Sequence, residues 1–294
     1  MAYKSGFVSI IGRPNVGKST LVNRIIGEKV AITSPRPQTT RNQINGIYSS
    51  NEGQIIFVDT PGIHKARNKL DNYMYKQAFR SLEGIDLVIL LLDATAAYGK
   101  GDDFILRQLK GNSINKLAVL NKIDALSLQG VKKRLDEYSR AIRDKVIPVS
   151  ALKGKNIQTM MEEIFLLMPE GPKYYPEDMY TNQIEQFIIG EIIREKIFFL
   201  TREEVPYGIA VLIEEIKERD NGVFYIRANI YTEKKSHKGI LIGKNGSMLK
   251  KIGLQARKDI ESLLQTDVYL DLWVKVLKDW REKEGLLKRM GYKG

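Results

Sequence analysis

A stretch near the N-terminus, residues 12–19, constrains this chain most, and it reads Gly-Arg-Pro-Asn-Val-Gly-Lys-Ser. It follows an apolar run at 7–11 that predicts a buried strand, and it precedes residues 20–26, which predict a helix. Glycines let the backbone curl until several N–H groups point at one phosphate, and the helix N-terminus adds its dipole. The stretch in this context predicts a loop that binds nucleotide phosphates. The residues predicted to do so are Gly12, Asn15, Val16, Gly17, Lys18, Ser19 and Thr20.

Length and composition bound the remaining possibilities. A chain of 294 residues suits two domains, and a formal net charge of +12 favours a polyanionic partner. Because there are no cysteines, disulfides and thiolate metal sites are excluded and a reducing compartment is favoured. The first strand begins so early that no signal peptide is expected, and the apolar run at 87–92 is too short to span a bilayer. We therefore expect a cytoplasmic protein.

The first 168 residues alternate between strand and helix patterns. This alternation predicts an α/β domain whose mostly parallel six-stranded sheet has helices on both faces. Ligands of such sheets lie at the carboxyl ends of the strands. The predicted strands are 7–11, 44–49, 54–59, 86–93, 116–121 and 145–149, and the predicted helices are 18–26, 70–82, 102–109, 128–142 and 156–167.

Two segments have the features of switches that respond to a γ-phosphate. The polar loop 33–41 is either a solvated connection or a segment whose Thr40, with Thr39 as the alternative, ligates Mg²⁺ when the γ-phosphate is present. Asp59 ends a strand and can hold the metal through water. Three residues on, Gly62 allows its N–H to approach the γ-phosphate closely.

Two later strand ends predict selection of guanine. Asp124 can accept hydrogen bonds from guanine N1–H and N2–H₂, donors that adenine lacks, and such pairing rejects the wrong base by about 10⁴–10⁵. Lys122 can lay its stem on the base, and Asn121 can brace the loop. The segment Ser150-Ala151-Leu152 follows the next strand and offers a backbone N–H to guanine O6.

In this order and spacing, the five segments resemble the signature of small GTPases. They are most similar to the bacterial translation-factor-related group with Gly-x-Pro-Asn-Val-Gly-Lys-Ser, over residues 5–170. The resemblance implies a Ras-like fold that binds GTP or GDP with Mg²⁺. It implies Ser19, Thr40 and, through water, Asp59 as metal ligands. The residues implied in hydrolysis are Lys18, Thr40, Gly62 and Asn15.

One departure from Ras-like enzymes concerns mechanism. Ile63 stands where those enzymes carry a glutamine that orients the attacking water, so intrinsic hydrolysis is expected to be slow. In similar GTPases an asparagine at the position of Asn15 helps to hold K⁺ in place of an arginine finger. Asn15 is therefore either a K⁺ ligand or an amide that stabilises the loop.

A linker and a second domain follow. We predict a first domain at 1–168, a linker at 169–180 rich in proline and a second domain at 181–294. The predicted element order of the second domain is α-β-β-α-α-β with a basic tail at 281–293, which is expected to be a solvated helix, with an extra RNA contact as the alternative. The Asn-Gly pair at 221–222 predicts a hairpin between the two strands. We expect Trp273 and Trp280 to be core anchors, with platforms for base stacking as the alternative.

A basic segment predicts that the second domain binds RNA. Residues 234–258 hold eight Lys or Arg and no Asp or Glu, which is typical of a surface that contacts the nucleic-acid backbone. Within it, the Gly-Lys-Asn-Gly sequence at 243–246 and the element order strongly resemble an α+β type II KH domain, whose GxxG loop clamps nucleotides. The candidate RNA contacts are Lys238, Ile240, Ile242, Gly243, Lys244, Asn245, Gly246, Lys250 and Lys251. The apolar ones, Ile240 and Ile242, either form the floor of the RNA groove or belong to the core.

The pairing of these two domains resembles a bacterial family of ribosome-assembly GTPases. That resemblance implies a protein that binds 16S rRNA near its 3′ end, assists 30S maturation, and associates peripherally with the cell membrane. We expect it to be a monomer. We also expect guanosine tetraphosphate to compete for the site, because Asp124 reads only the base. Two alternatives remain: a metabolic GTP hydrolase, and a signalling GTPase whose basic domain binds anionic lipid.

Overall fold

The computed structural model describes residues 2–34, 36, 38–63, 66–110 and 114–292. By contacts the chain divides into two compact units. The first comprises Met1–Ala66 and Met74–Asn182, and the second comprises Arg67–Tyr73 and Gln183–Gly294. The short segment Arg67–Tyr73 thus belongs to the second unit, although the sequence places it inside the predicted first domain. No described helix is both long and apolar enough to cross a bilayer.

The first unit is built on the predicted six-stranded sheet. Its spatial order is β2-β3-β1-β4-β5-β6. Only β2 runs antiparallel, against β3, and the other pairs are parallel. The prediction of a mostly parallel sheet is therefore confirmed. The strands are β1 (Lys4–Ile11), β2 (Ile44–Ser49), β3 (Gly53–Asp59), β4 (Leu87–Asp93), β5 (Asn115–Asn121) and β6 (Val146–Pro148).

Helices cover both faces of this sheet because its strands are apolar on both sides. Along β4, Leu87, Ile89 and Leu91 enter one core, which α1 and α5 close. The residues between them enter the other core, to which α2, α3 and α4 contribute. Parallel strands buried on both faces read as continuous apolar runs, as 87–92 does. The helices are α1 (Lys18–Ile26), α2 (Lys69–Arg80), α3 (Lys100–Gln108), α4 (Leu128–Ile142) and α5 (Ile157–Leu167).

The second unit has the predicted α-β-β-α-α-β order. Its sheet runs β7-β8-β9, with β7 antiparallel and β9 parallel to β8. Isoleucines of α6 and apolar residues of α7 and α8 pack with one face of the sheet in a single core. The elements are α6 (Glu185–Leu200), β7 (Ile209–Glu218), β8 (Phe224–Thr232), α7 (Lys235–Ile242), α8 (Ser247–Leu264), β9 (Val268–Val276) and α9 (Glu284–Arg289).

The opposite face of this sheet corrects two expectations. Trp280 is fully buried, as predicted, and its Nε1–H donates to the carbonyl of Gly208 at 3.0 Å. Trp273 is 57% exposed, so the prediction that it anchors a core is wrong. The basic tail is not simply solvated, because Leu287, Met290 and Tyr292 are buried in a cluster with Trp280. Lys293, the last residue of the predicted tail, lies outside the described residues.

Candidate functional site

The turn between β1 and α1 is shaped as a phosphate-binding loop requires. Gly17 caps α1 with φ 99°, and a Cβ there would lie 2.4 Å from Asn121 Nδ2. Asn15 also has positive φ, at 63°. A Cβ on Gly12 would lie 2.4 Å from the carbonyl oxygen of Leu91. Only glycine fits at positions 12 and 17, because backbone and a fixed amide already fill the space of a side chain.

Lys18 is held inside this loop. Its Nζ donates to the carbonyl of Arg13 at 3.1 Å and to that of Gly12 at 3.3 Å. Burial lowers the pKa of Lys18 to about 8, and the charge of Asp59 opposes that shift. The ammonium group is thus positioned by main-chain carbonyls at the start of α1, where anions bind.

Three oxygen-bearing side chains meet beside Lys18. Ser19 Oγ donates to Asp59 Oδ2 at 2.7 Å. Thr40 Oγ1 lies 2.8 Å from Ser19 Oγ and donates to the same carboxylate at 3.1 Å. Asp59 is fully buried and its Oδ1 has no hydrogen-bond partner among the described residues. Burial raises the pKa of Asp59, an effect that Lys18 and the two hydroxyls oppose.

This oxygen set fits Mg²⁺. Hydroxyl and carboxylate oxygens are the ligands of a hard cation, which binds through one or two protein groups and keeps several waters. Ser19, Thr40 and Asp59 are therefore the candidate ligands, because their oxygens already lie within hydrogen-bond distance of one another.

The segment after β3 lies against the phosphate loop. A Cβ on Gly62 would lie 2.7 Å from the Cα of Pro14, and the N–H of Ile63 donates to the carbonyl of Gly12 at 3.2 Å. The Ile63 side chain is buried in the core of the first unit. It is therefore directed into the protein interior.

Asn121 joins two candidate recognition segments. Its Nδ2–H donates to the carbonyl of Val16 at 2.8 Å, and its Oδ1 accepts from the N–H of Ala151 at 2.9 Å. The side chain is 2% exposed. A single amide thus fixes the distance between the phosphate loop and the loop at 150–152.

Asp124 is oriented by the same loop. Ser150 Oγ donates to Asp124 Oδ1 at 2.5 Å and accepts from the N–H of Lys153 at 3.0 Å. The N–H of Ser150 donates to the carbonyl of Lys155 at 3.1 Å. Leu152 is 61% exposed. The half-buried carboxylate that the sequence assigns to guanine is therefore held in place by Ser150.

Two positioning residues escaped the sequence analysis. Arg24 on α1 donates from Nε to the carbonyl of Ala151 at 2.9 Å and from Nη2 to that of Leu152 at 2.7 Å. Asp93, at the end of β4, accepts from Lys122 Nζ at 2.6 Å. A strand-end carboxylate in the run 86–93 was a usable signal for Asp93, whereas nothing in the helix pattern marks Arg24.

The candidate RNA residues lie together around the junction of α7 and α8. Gly243 ends α7 with φ 72°, and Gly246 caps α8 with φ 78°. A Cβ on Gly243 would lie 2.8 Å from the nitrogen of Met248, whereas a Cβ on Gly246 would meet nothing within 4 Å. Around this turn are the exposed side chains of Lys244, Asn245, Ile240, Lys250 and Lys251, and the half-buried ones of Lys238 and Ile242.

Comparison with known proteins yields the same two parts. Residues 7–122 match the family model described as 50S ribosome-binding GTPase, and residues 204–281 match the KH domain model. The fold and the site thus define a P-loop GTPase that carries a C-terminal KH domain.

Full-length relatives narrow the class further. The chain is 65% identical over 294 residues to GTPase Era of Halothermothrix orenii, covering 100% of both chains, and 53% identical over 291 residues to GTPase Era of Clostridium kluyveri, covering 99% of each. The chain belongs to the Era family of GTPases and is a GTP-hydrolysing enzyme that uses guanine nucleotide and Mg²⁺.

Two solved structures resemble the chain along its length. One is an Aquifex aeolicus Era variant bound to GDP and AlF₄⁻. The other is Era in complex with MgGDPNP and nucleotides 1506–1542 of 16S ribosomal RNA. Each has a TM-score of 0.96 and 40% identity, and the match covers 99% of this chain and 100% of that one.

Proposed function

We propose that the chain binds GTP through the residues that meet at the carboxyl ends of β1, β3, β5 and β6. Lys18 neutralises the β- and γ-phosphates, and Mg²⁺, held by Ser19, Thr40 and Asp59, supplies further positive charge there. Gly62 offers its N–H to the γ-phosphate, and Asp124 selects guanine. Because Ile63 is buried, no side chain at that position orients the attacking water, and hydrolysis is slow. The observation that carries this assignment is the Ser19–Thr40–Asp59 cluster beside Lys18.

The guanine assignment is tested by Asp124→Asn. An amide N–H₂ cannot accept from guanine but can donate to the C2 carbonyl of xanthine, so the variant should lose GDP affinity and gain affinity for xanthosine diphosphate. Asp103→Asn is the matched control, since Asp103 forms an exposed ion pair with Arg107 on α3. Unchanged preference for GDP in Asp124→Asn would contradict the assignment.

For the second unit we propose binding to single-stranded RNA at the 3′ region of 16S rRNA and a role in maturation of the 30S subunit. The turn at 243–246 and its basic neighbours support the binding mode. The similar Era structure that contains nucleotides 1506–1542 of 16S ribosomal RNA supports the choice of this RNA region. The test is a titration with an RNA of that region, using Gly243→Asp/Gly246→Asp and the milder Lys244→Glu. Gly285→Asp, at an open position of α9, is the control. Equal affinity in all four proteins would refute the proposal.

We propose further that the nucleotide state controls RNA affinity. Thr40 and Gly62 lie at the phosphate site, and Gly62 is only five residues before Arg67, where the second unit begins along the chain. GTP that orders these segments would then favour RNA binding, and by linkage RNA would tighten GTP binding by the same factor. Equal RNA affinity in the GTP-analogue and GDP states would exclude this control.

We propose that K⁺ stimulates hydrolysis through Asn15. Because Asn15 has a positive φ of 63°, the variant Asn15→Gly keeps the backbone conformation accessible and removes only the side-chain amide. Turnover of the wild type should be faster in KCl than in NaCl, and Asn15→Gly should lose that difference. Equal wild-type turnover in the two salts would end the proposal.

The remaining partners are also proposals. Guanosine tetraphosphate should displace labelled GDP, because Asp124 recognises only the base, and the protein should sediment as a monomer. Peripheral membrane association should appear as binding to anionic vesicles that RNA competes away. Vesicle binding unaffected by RNA would instead favour the lipid-binding alternative.

A further inference from the structure

The outward face of the three-stranded sheet is only half covered. Residues paired across strands share a face, and here they form the rows Lys217–Tyr225–Tyr269, Glu215–Arg227–Asp271, Leu212–Asn229–Trp273 and Ala210–Tyr231–Lys275. Tyr231 is buried beneath the C-terminal cluster, whereas Tyr269 and Trp273 on the edge strand β9 are 55% and 57% exposed. The uncovered half therefore presents large aromatic side chains to solvent.

These aromatic rings are held in place rather than loosely exposed. Tyr225 Oη donates to Asp271 Oδ2 at 3.0 Å, and Trp273 Nε1–H donates to the same oxygen at 2.9 Å. The rings of Tyr225 and Tyr269 stack at 5.9 Å between centroids, with 18° between their planes. We call Tyr225, Tyr269 and Trp273 the aromatic platform. Its rigidity lowers the entropic cost of docking a flat ligand.

Positive charge surrounds the aromatic platform. The guanidinium of Arg219 lies 4.9 Å from the centroids of both tyrosine rings, and no described carboxylate is within ion-pair distance of it. Lys217 and Lys275 are likewise exposed and have no such partner among the described residues.

The acidic side chains of the same rows are already engaged. Asp271 accepts from the platform, and Glu215 pairs with Arg227 at 3.5 Å. Glu214, at the bulge beside these rows, accepts from Asn229. The rows hold three cationic side chains, those of Lys217, Arg227 and Lys275, against the two carboxylates of Glu215 and Asp271. Arg219 adds a further positive charge, so the rows and Arg219 together carry a net positive charge.

We propose that the aromatic platform is a second RNA contact, on which an unpaired nucleobase stacks on Trp273 while Arg219, Lys217 and Lys275 face its phosphates. Fixed aromatic rings beside cations match the base and backbone of single-stranded RNA together. An acidic protein would use the cations but not the ring faces. Because α8 packs on the inward face of the sheet, the platform is separate from the turn at 243–246. The inference therefore goes beyond the RNA contact proposed above.

The test uses the full chain and decaadenylate, and it exploits the two tryptophans of the sequence. Trp280 is buried, so quenching by a stacked base reports on Trp273. In the Gly243→Asp/Gly246→Asp background decaadenylate should still quench the fluorescence, and adding Trp273→Ala should abolish the quenching. In the otherwise wild-type chain Trp273→Ala should weaken binding about 5- to 150-fold. Trp273→Phe should retain most of the affinity.

Phe199→Ala is the matched control, because Phe199 is an aromatic residue of the same unit with 53% exposure. It should bind decaadenylate as the wild type does. The proposal is overturned if Trp273→Ala binds as tightly as the wild type, or if the loop double variant shows no quenching. Concentration-dependent self-association that Trp273→Ala removes without changing RNA affinity would also overturn it and assign the face to a second copy. If Gly243→Asp/Gly246→Asp binds decaadenylate as the wild type does, and Trp273→Ala abolishes that binding, the RNA contact at the turn 243–246 is refuted and the contact at the aromatic platform is supported.

Discussion

The ion pair between Lys122 and Asp93 should control how tightly guanine nucleotides bind. Asp93 Oδ1 accepts from the N–H and hydroxyl of Thr95 at 2.9 and 2.6 Å, so the carboxylate is fixed before it meets Lys122. The Asp93 side chain is 13% exposed and that of Lys122 34%. Lys122 alone would have to order a long, flexible side chain when the base arrives. Asp93→Asn should therefore weaken GDP binding by loosening Lys122.

The magnitude follows from burial. Exposed ion pairs contribute about 0.2–1 kcal/mol, and hydrogen bonds to charged groups contribute about 1.5–3 kcal/mol. This half-buried pair falls between those limits, so we expect a coupling of about 1 kcal/mol, or about fivefold in affinity.

A double-mutant cycle isolates this coupling. GDP affinity would be measured by fluorescence for the wild type, Asp93→Asn, Lys122→Met and the double variant, with Asp103→Asn as a control. Asp93→Asn should weaken GDP binding about fivefold when residue 122 is lysine, and should leave it unchanged in the Lys122→Met background. Equal losses in both backgrounds, or none in either, would refute the reasoning.

The pH dependence gives an independent check. Partial burial opposes ionisation of Asp93, but hydrogen bonds from Lys122 and Thr95 outweigh it and lower the pKa of Asp93 below its usual value. The contribution of this carboxylate is present above its unfolded pKa and is lost only as the pH falls through the lowered folded value. The affinity ratio between wild type and Asp93→Asn should therefore be the same at pH 8 and pH 5, and a ratio that shrinks by pH 5 would contradict the assignment.

Three further substitutions are informative. Ile63→Gln should lower the free energy of unfolding by about 1–3 kcal/mol without raising GTP turnover, because its amide would be buried in the core; urea titration and phosphate release measure the two effects. Trp280→Phe should cost about 2 kcal/mol in a urea titration, since it loses the bond to Gly208 and leaves a cavity, and unchanged stability would mean that the buried indole is dispensable. Asn121→Ala should weaken GDP binding at least about 30-fold, because the carbonyl of Val16 and the N–H of Ala151 both lose their partner; a loss under threefold would show that the brace is redundant.

The pattern of apolar and polar residues predicted the strands and helices, because each element follows a regular spacing of buried side chains. Strands of the first unit are buried on both faces, and such apolar runs are legible without any partner. The period of two along β9 also separates Val268, Leu270 and Val274 from Tyr269 and Trp273. Applied to Trp273, that alternation would have predicted its exposure, whereas residue type alone favoured the core.

Other features depend on tertiary contacts that no local pattern records. The carboxylate of Asp93 and the guanidinium of Arg24 find partners far along the chain, in Lys122 and in the loop that follows β6. The helical periodicity of α2 is continuous, so it gives no sign that Arg67–Tyr73 belongs to the second unit. The buried tail at Leu287 and Met290 likewise depends on the sheet face that receives it.

In the proposed nucleotide site, the two hydrogen bonds of the Asn121 side chain would let the two ends of a nucleotide bind cooperatively. This side chain holds the turn at Val16 and the loop at Ala151 at a fixed separation. The subsites proposed for the base and for the phosphates are therefore correctly spaced before the nucleotide binds. Once one end of GTP is bound, the other is presented at a high effective concentration. Guanosine or pyrophosphate alone gains none of this advantage, and the two together should fall far short of GDP. For the same reason, a partner that strained this one amide could release the whole nucleotide without touching either of its ends.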